Sequence, residues 1–303
     1  MKNENTAKFL SGFAAIVGRP NVGKSTLMNA MVGEKVAIVS NRPQTTRNRI
    51  MGVATDKGWQ IVFLDTPGLH KPRTRLGEYM VKSVQDAMDG IDVLLVLVDA
   101  NEIGPQDRAI VEEMSARQVK KILVLNKTDI VEEARLMAAI QSFAEAGYDA
   151  IVPISARTGK GMDELKKLIV SYLPEGPKFY DDDVVTDQPE RQIVAELIRE
   201  KVLRLMDAEV PHGIAVSVES MKMRRHGHIM DIHATIVCER DSHKGMIIGK
   251  QGRMLQQIGQ NARFEIENLL DTKVNLQLWV KVKKDWRDSD FLIKNFGYDK
   301  NDY

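Results

Sequence analysis

Residues 18–25 read Gly18-Arg19-Pro20-Asn21-Val22-Gly23-Lys24-Ser25, the pattern G-x-x-x-x-G-K-[S/T]. A short apolar run, Phe13 to Val17, precedes them, and a stretch with helical spacing follows. Strand, glycine turn and helix start in that order mark a phosphate-binding loop rather than an ordinary glycine turn. Gly18 and Gly23 let the backbone around Asn21 and Val22 turn its N–H groups toward phosphates, and the helix N-terminus adds a favourable dipole. Lys24 supplies a point charge to the β and γ phosphates. Ser25 offers a hydroxyl to Mg²⁺, and Thr26 continues the first helical turn beside the nucleotide.

Similar apolar runs recur at Ile61 to Leu64, Val93 to Val98, Ile122 to Leu125 and Ile151 to Ile154, each suited to a buried parallel strand. Between them lie amphipathic stretches such as Gln106 to Met114 and Glu132 to Ala146. The alternation predicts an α/β domain, a mostly parallel sheet with helices on both faces. Short motifs stand at the carboxyl ends of these strands. Asp65-Thr66-Pro67-Gly68 places a carboxylate where it can hold Mg²⁺ through water, and Gly68 can bring its N–H close to a γ-phosphate. Asn126-Lys127-Thr128-Asp129 selects the base. The Asp129 carboxylate only accepts hydrogen bonds, which suits the N1–H and N2–H₂ donors of guanine and opposes the N1 acceptor of adenine. Ser155-Ala156 is read as presenting a backbone N–H to guanine O6.

The composition bounds the alternatives. The chain has 303 residues, which suggests two domains, and its 43% hydrophobic and 28% charged content is that of a globular protein. With 43 basic and 42 acidic residues, bulk attraction to nucleic acid is excluded, so any such binding needs a local basic patch. The single cysteine, Cys238, excludes an internal disulfide or a cysteine zinc cluster and fits a reducing compartment. No apolar run approaches a membrane span, and Met1 to Lys8 is polar, without a signal-peptide core. The expectation is a cytoplasmic protein.

Near Leu173 the strand–helix alternation stops. Pro174, Gly176, Pro177, Asp181, Asp182, Asp183 and Pro189 follow, read as an acidic linker, with an ordered acidic loop as the alternative. Beyond it the order is helix (Glu190 to Met206), strand (Gly213 to Met223), strand (His228 to Cys238), helix (from His243), glycine turn, helix to about Leu270, and strand (Lys273 to Lys283). The informative stretch is His243-Lys244-Gly245-Met246-Ile247-Ile248-Gly249-Lys250-Gln251-Gly252-Arg253. Between Arg240 and Arg263 five basic residues, Arg240, Lys244, Lys250, Arg253 and Arg263, stand against Asp241. Ile247, Ile248 and Ile258 either line an apolar groove or pack in the core. Lys222, Arg224, Arg225, His226 and His228 are read as an RNA-phosphate contact or a charged hairpin tip. Lys281, Lys283, Lys284 and Arg287 are read as backbone contacts or a half-buried edge strand. A metal site from His226, His228 and His233 lacks ligand spacing.

These motifs together are identified as those of a translation-factor-class GTPase and resemble the Era branch. The resemblance covers nearly the whole chain, because G-K-Q-G between two helices, in the order αββααβ, resembles a prokaryotic-type KH module. It divides the chain into a GTPase domain over 1–173, a linker over 174–189 and an RNA-binding KH domain with a C-terminal extension over 190–303. Asn21 stands where that broader group carries a potassium-coordinating asparagine, and Leu69 follows Gly68 where Ras-like GTPases carry a water-orienting glutamine. The resemblance therefore implies K⁺ as activator beside GTP/GDP and Mg²⁺, with Lys24, Asn21, Thr46 and Gly68 forming the catalytic centre.

Asn41-Arg42-Pro43-Gln44-Thr45-Thr46-Arg47 resembles the first switch, with Thr46 favoured over Thr45 as the hydroxyl reaching Mg²⁺. Leu69 to Tyr79 resembles the second, whose Lys71, Arg73 and Arg75 face either a partner or solvent. The RNA-binding residues carried over are Lys244, Ile247, Ile248, Gly249, Lys250, Gln251, Gly252 and Arg253, since a KH turn of this kind clamps about four nucleotides of a single strand. The resemblance implies binding near the 3′ end of 16S rRNA and a role in 30S subunit assembly and rRNA maturation. The alternative is a GTPase switch whose main effector is a protein or the inner-membrane surface, with a peripheral fraction there. A monomer is expected.

Overall fold

The computed structural model describes residues 8–40, 42, 44–69, 72, 74–206, 210–225 and 227–298. The polar start at 1–7 and Asn41, Pro43, Lys71, Arg73 and His226, all singled out above, lie outside the described residues. The chain divides into two compact units. The first comprises Met1–Ala37, Thr46–His70 and Met80–Asp187, the second Ile38–Thr45, Lys71–Tyr79 and Gln188–Tyr303.

The first unit is built on a six-stranded sheet of order β2-β3-β1-β4-β5-β6. Its strands are β1 (Leu10–Val17), β2 (Ile50–Asp56), β3 (Trp59–Asp65), β4 (Val93–Asp99), β5 (Lys120–Asn126) and β6 (Ala150–Pro153). All neighbours run parallel except β2, which pairs antiparallel with β3. β4, Val-Leu-Leu-Val-Leu-Val-Asp, is buried along its whole length, as expected of a central strand covered on both faces. The helices are α1 (Lys24–Val32), α2 (Arg75–Ala87), α3 (Pro105–Ser115), α4 (Glu133–Ser142) and α5 (Met162–Tyr172), of which α2 begins in the second unit's segment.

β2 is not among the strands expected from the apolar runs. Ile-Met-Gly-Val-Ala-Thr-Asp has no continuous apolar stretch, and its signal is the Lys57-Gly58 turn, where Gly58 takes φ 90°. Residues 174–187 form an ordered loop along this sheet, the second of the two readings offered. Ser11 N–H donates to Pro174 O at 3.1 Å, Val53 N–H to Val185 O at 2.9 Å, and Gln60 Oε1 accepts from Phe179 N–H at 2.8 Å.

The second unit carries a three-stranded sheet of order β7-β8-β9: β7 (Ala215–Met223), β8 (Ile229–Cys238) and β9 (Lys273–Val282). β7 and β8 are antiparallel, and β8 and β9 parallel. One face packs against α6 (Glu190–Leu205), α7 (Asp241–Ile248) and α8 (Arg253–Leu270), giving the element order αββααβ. Alternation on β9 sends Val274, Leu276, Leu278 and Val280 toward the helices and leaves Gln277, Trp279 and Lys281 exposed. The C-terminal extension adds α9 (Asp290–Asn295) and a fully buried Trp286, whose indole donates to Gly213 O at 2.9 Å.

Candidate functional site

The loop between β1 and α1 has the backbone its sequence requires. Gly23 sits at φ 101°, and a Cβ there would lie 2.3 Å from Asn126 Nδ2. Asn126 explains the crowding. It donates to Val22 O at 2.8 Å and accepts from Ala156 N–H at 3.0 Å, tying the phosphate loop to both base-side loops. Asn21 itself adopts φ 65°. Lys24 is 6% exposed and donates to Gly18 O at 3.1 Å and Arg19 O at 3.0 Å. Burial pushes its ammonium down to about 8, against the opposing pull of Asp65 and with a smaller push from Arg19. Thr26 is half-buried in the first turn of α1. Arg19, which sequence reasoning does not single out, fixes the loop from outside by donating to Asp107 at 2.9 and 3.0 Å and to Glu102 O at 2.8 Å.

Three oxygens converge beside Lys24. Ser25 Oγ lies 2.6 Å from Asp65 Oδ2 and 2.8 Å from Thr46 Oγ1, and Thr46 Oγ1 lies 3.3 Å from the same carboxylate oxygen. Asp65 is fully buried, burial raises its pKa above the usual carboxylate range, and its Oδ1 has no hydrogen-bond partner among the described residues. An all-oxygen set with an orphaned buried carboxylate oxygen fits a hard divalent cation such as Mg²⁺. Thr45 faces elsewhere: its hydroxyl is 2.7 Å from Ser40 Oγ and donates to Arg42 O at 2.6 Å.

Thr66 is scaffolding, since its buried hydroxyl donates to Ile16 O at 2.7 Å. Pro67 and Gly68 follow it into the phosphate side. A Cβ on Gly68 would lie 2.7 Å from Pro20 N and Cγ, so only glycine lets this segment close on the phosphate loop, where Leu69 N–H donates to Gly18 O at 3.1 Å.

On the base side, Lys127 takes φ 67° and its ammonium reaches Asp99 at 2.6 Å. Asp129 accepts from Ser155 Oγ and from Arg157 Nη2, both at 2.7 Å, and Ser155, with a smaller contribution from Arg157, holds its carboxyl below the usual range. Arg157 is missed by the sequence reading because it lies one residue beyond Ser155-Ala156. Next to them, Ser155 N–H donates to Lys160 O at 2.9 Å and Ala156 N–H to Asn126 Oδ1 at 3.0 Å.

In the second unit, Gly249-Lys250-Gln251-Gly252 joins α7 to α8. Gly249, Gln251 and Gly252 have φ of 70°, 54° and 75°, and a Cβ on Gly249 would lie 2.6 Å from Met254 Cβ. Lys250, Gln251 and Arg253 are exposed, and Lys244 and Ile248 half-buried. Beside this turn an open groove of about 460 Å³ runs between α8 and β9, floored by Leu255, Gly259, Leu276 and Leu278 and edged by Gln256 and Arg263. Ile247 and Ile258 do not line it. Both are fully buried, because the helical period of α7 and α8 turns them into the core. The groove leucines are legible in principle, Leu255 from the period of α8 and Leu276 and Leu278 from the alternation of β9.

Three of the outlying basic residues face carboxylates. Arg224 pairs with Asp231 at 2.8 and 2.7 Å, Arg287 with Glu239 at 3.0 and 2.6 Å, and Lys281 approaches Glu219 at 3.7 Å. Among the described residues no three His, Cys, Asp or Glu side chains are grouped to hold a metal.

Comparison with known proteins bears on both units. The family described as "50S ribosome-binding GTPase" matches residues 13–127, and the KH domain family matches 209–287. GTPase Era of Clostridioides difficile is 55% identical over 293 residues, covering 96% of this chain and 99% of its own, and GTPase Era of Ruminiclostridium cellulolyticum is 52% identical over 295 residues, covering 97% and 99%. Two solved structures, each 40% identical and covering 96% of this chain and 99% of their own, superpose with TM-scores of 0.91 and 0.92. They are Era in complex with MgGDPNP and nucleotides 1506–1542 of 16S ribosomal RNA, and a single-residue variant of Aquifex aeolicus Era bound to GDP·AlF₄⁻. At that identity and coverage, over both units, this chain belongs to the Era family of GTPases.

Proposed function

We propose that this GTPase is a nucleotide-controlled RNA-binding switch acting on the 3′ end of 16S rRNA during 30S subunit assembly and rRNA maturation. The observation that carries the reading is the open groove beside the Gly249–Gly252 turn, in a chain whose other unit gathers Lys24, Ser25, Thr46 and Asp65 at one point. Two glycines with positive φ let the backbone approach phosphates, Lys250 and Arg253 add charge, and the leucine floor accepts unstacked bases of a single strand. A relative of 40% identity was crystallised with nucleotides 1506–1542 of 16S ribosomal RNA.

In the GTPase unit, Lys24 and the backbone around Asn21 to Thr26 hold the phosphates, and Asp129 selects guanine. Ser25, Thr46 and Asp65 would hold Mg²⁺, which when bound offsets the charge of the β and γ phosphates. Gly68 would meet the γ-phosphate through its N–H, so that loss of that phosphate releases the segments around Thr46 and Gly68. No glutamine follows Gly68, and K⁺ held by Asn21 would supply the charge that an arginine finger supplies elsewhere. Among the described residues no helix is long and apolar enough to cross a membrane, and the proposed place of action is the cytoplasm. The two activities divide between the two units, GTP turnover in the first and RNA binding in the second.

The test is binding of a single strand matching the 16S 3′ end, a scrambled strand and neutral phospholipid vesicles, by the full chain and by Gly252→Asp. A Cβ at Gly252 meets open space, and aspartate is among the side chains that best tolerate its φ of 75°, so the variant puts a carboxylate at the turn with backbone strain as its cost, and its melting temperature is measured alongside. Selective binding that drops at least tenfold in the variant is expected. Equal binding of both strands, or binding to vesicles alone, would transfer the effector role to another partner.

A further inference from the structure

α6 carries an unusual burden of buried charge. Ile193, Val194, Leu197, Ile198, Val202 and Leu203 face the core of the second unit. Yet Arg199 and Glu200 are also fully buried, and Lys201 is 4% exposed. A buried charge persists only where it is paired. Lys201 is satisfied by Glu200 at 2.6 Å and by Glu265. The partners of the other two are informative, because they include main-chain groups of the segment Ile38–Thr45, which belongs to the second unit although it precedes β2 in the chain.

Arg199 donates to the carbonyl oxygens of Gln44 and Thr45 while Glu196 grips the same guanidinium at 2.9 and 2.5 Å. Glu200 accepts from Val39 N–H at 2.9 Å, and Arg204 donates to Val39 O at 3.0 Å and to Glu200 at 2.9 Å. Arg42 donates to Met206 O at 2.9 Å, and Ile38 is buried in the same apolar cluster as α6. The recognition is of backbone, at both ends of the segment. The next residue in the chain is Thr46, whose hydroxyl lies with Ser25 and Asp65.

We propose that Arg199, supported by Arg204, is a positioning residue for GTP turnover: by holding the Gln44 and Thr45 carbonyls it keeps Thr46 at the cation-binding oxygens. This rests on the reading that Thr46 reaches Mg²⁺. The geometry makes the helix opening the RNA-binding unit the holder of the first switch, so that disturbing α6 changes Mg²⁺-dependent GTP handling while the phosphate loop and base pocket, which need no part of 38–45, keep GDP.

The experiment measures, in the full chain, the Mg²⁺ concentration for half-maximal GTP turnover together with GDP affinity, in Arg199→Gln, Arg199→Lys, Arg204→Ala and Thr46→Ala. Arg199→Gln is expected to raise the Mg²⁺ requirement at least tenfold and leave GDP affinity within twofold. Arg199→Lys keeps the charge without the two-pronged fork and falls between wild type and glutamine. Arg204 is half-exposed, so Arg204→Ala tests the same link without emptying a buried site, with about a threefold effect expected even if Arg199→Gln does not fold. An unchanged Mg²⁺ requirement in Arg204→Ala and in folded Arg199→Gln, with Thr46→Ala impaired, would overturn the inference alone. A normal requirement in Thr46→Ala would overturn the reading beneath it. Equal loss of GDP and GTP binding in the Arg199 variants would reduce Arg199 to a structural residue.

Discussion

Asp129→Asn tests guanine selection most sharply, and its size follows from the contacts. In the free site the carboxylate accepts from Ser155 and from Arg157, whose side chain is 76% exposed. Arg157 can leave when the base arrives at little cost, since an exposed ion pair contributes about 0–1 kcal/mol. Guanine N1–H and N2–H₂ then make two hydrogen bonds to a charged acceptor, each about 1.5–3 kcal/mol. Asparagine keeps one acceptor but aims an N–H₂ at a donor of the base. Loss of one bond and weakening of the other to a neutral one amount to about 2–5 kcal/mol, or roughly 1.5 to 3.5 orders of magnitude in affinity. The serine hydroxyl can accept as well as donate, so the loop should hold and melting should fall little. Xanthine presents an oxygen where guanine presents N2–H₂ and should recover much of the lost binding. The assay is competition of GDP, ADP and XDP against a fluorescent GDP analogue. A folded Asp129→Asn protein that still prefers GDP to XDP would refute the assignment.

Other predictions follow from the same geometry. Lys24 titrates near 8 in the free site and bound phosphates favour its charged form, so binding takes up protons as the pH approaches and passes that value. GDP affinity should fall about fourfold from pH 7 to 8.5, and calorimetry at pH 8 in buffers of different ionisation enthalpy should show uptake of about half a proton; pH-independent binding would contradict it. Gly68→Ala forces a Cβ to within 2.7 Å of the Pro20 backbone, which should cost about 1–3 kcal/mol and lower the melting temperature of the GTPase unit by about 2–12 °C. Gly259→Leu should fill the groove floor and weaken RNA binding at least tenfold without lowering the melting temperature, because a Cβ there meets only Leu278 Cδ1 at 3.5 Å. Turnover should be faster in K⁺ than in Na⁺ buffer, and Asn21→Ala should erase the difference; equal rates in wild type would remove the cation from the account.

What the sequence displays and what it conceals have physical causes. β4 and β5 are legible because a central parallel strand must be apolar on both faces, and the nucleotide motifs because backbone contact with phosphate leaves few choices of residue. β2 is hidden because Gly52, Ala54, Thr55 and Asp56 carry little apolar signal, and its place is set by pairing with β3. Thr45 and Thr46 are chemically alike and adjacent, so only the three-dimensional path separates them. Arg199 and Glu200 do not stand out within the helical spacing of Glu190 to Met206, since sequence cannot reveal that a segment some 155 residues earlier supplies their partners. Proximity to Gly249 suggests the groove for Ile247 and Ile258, whereas the helical period decides which face they present.

The coupling of nucleotide to RNA is the central claim, and a ligand can shift a two-state protein only through unequal affinity for its states. The most direct measurement is therefore the affinity of the full chain for the single-stranded 16S 3′ end with a non-hydrolysable GTP analogue and Mg²⁺, with GDP, and without nucleotide. The account predicts tighter binding with the analogue than with GDP, by at least fivefold, and loss of that difference in Thr46→Ala. Equal affinity in all three states would contradict it.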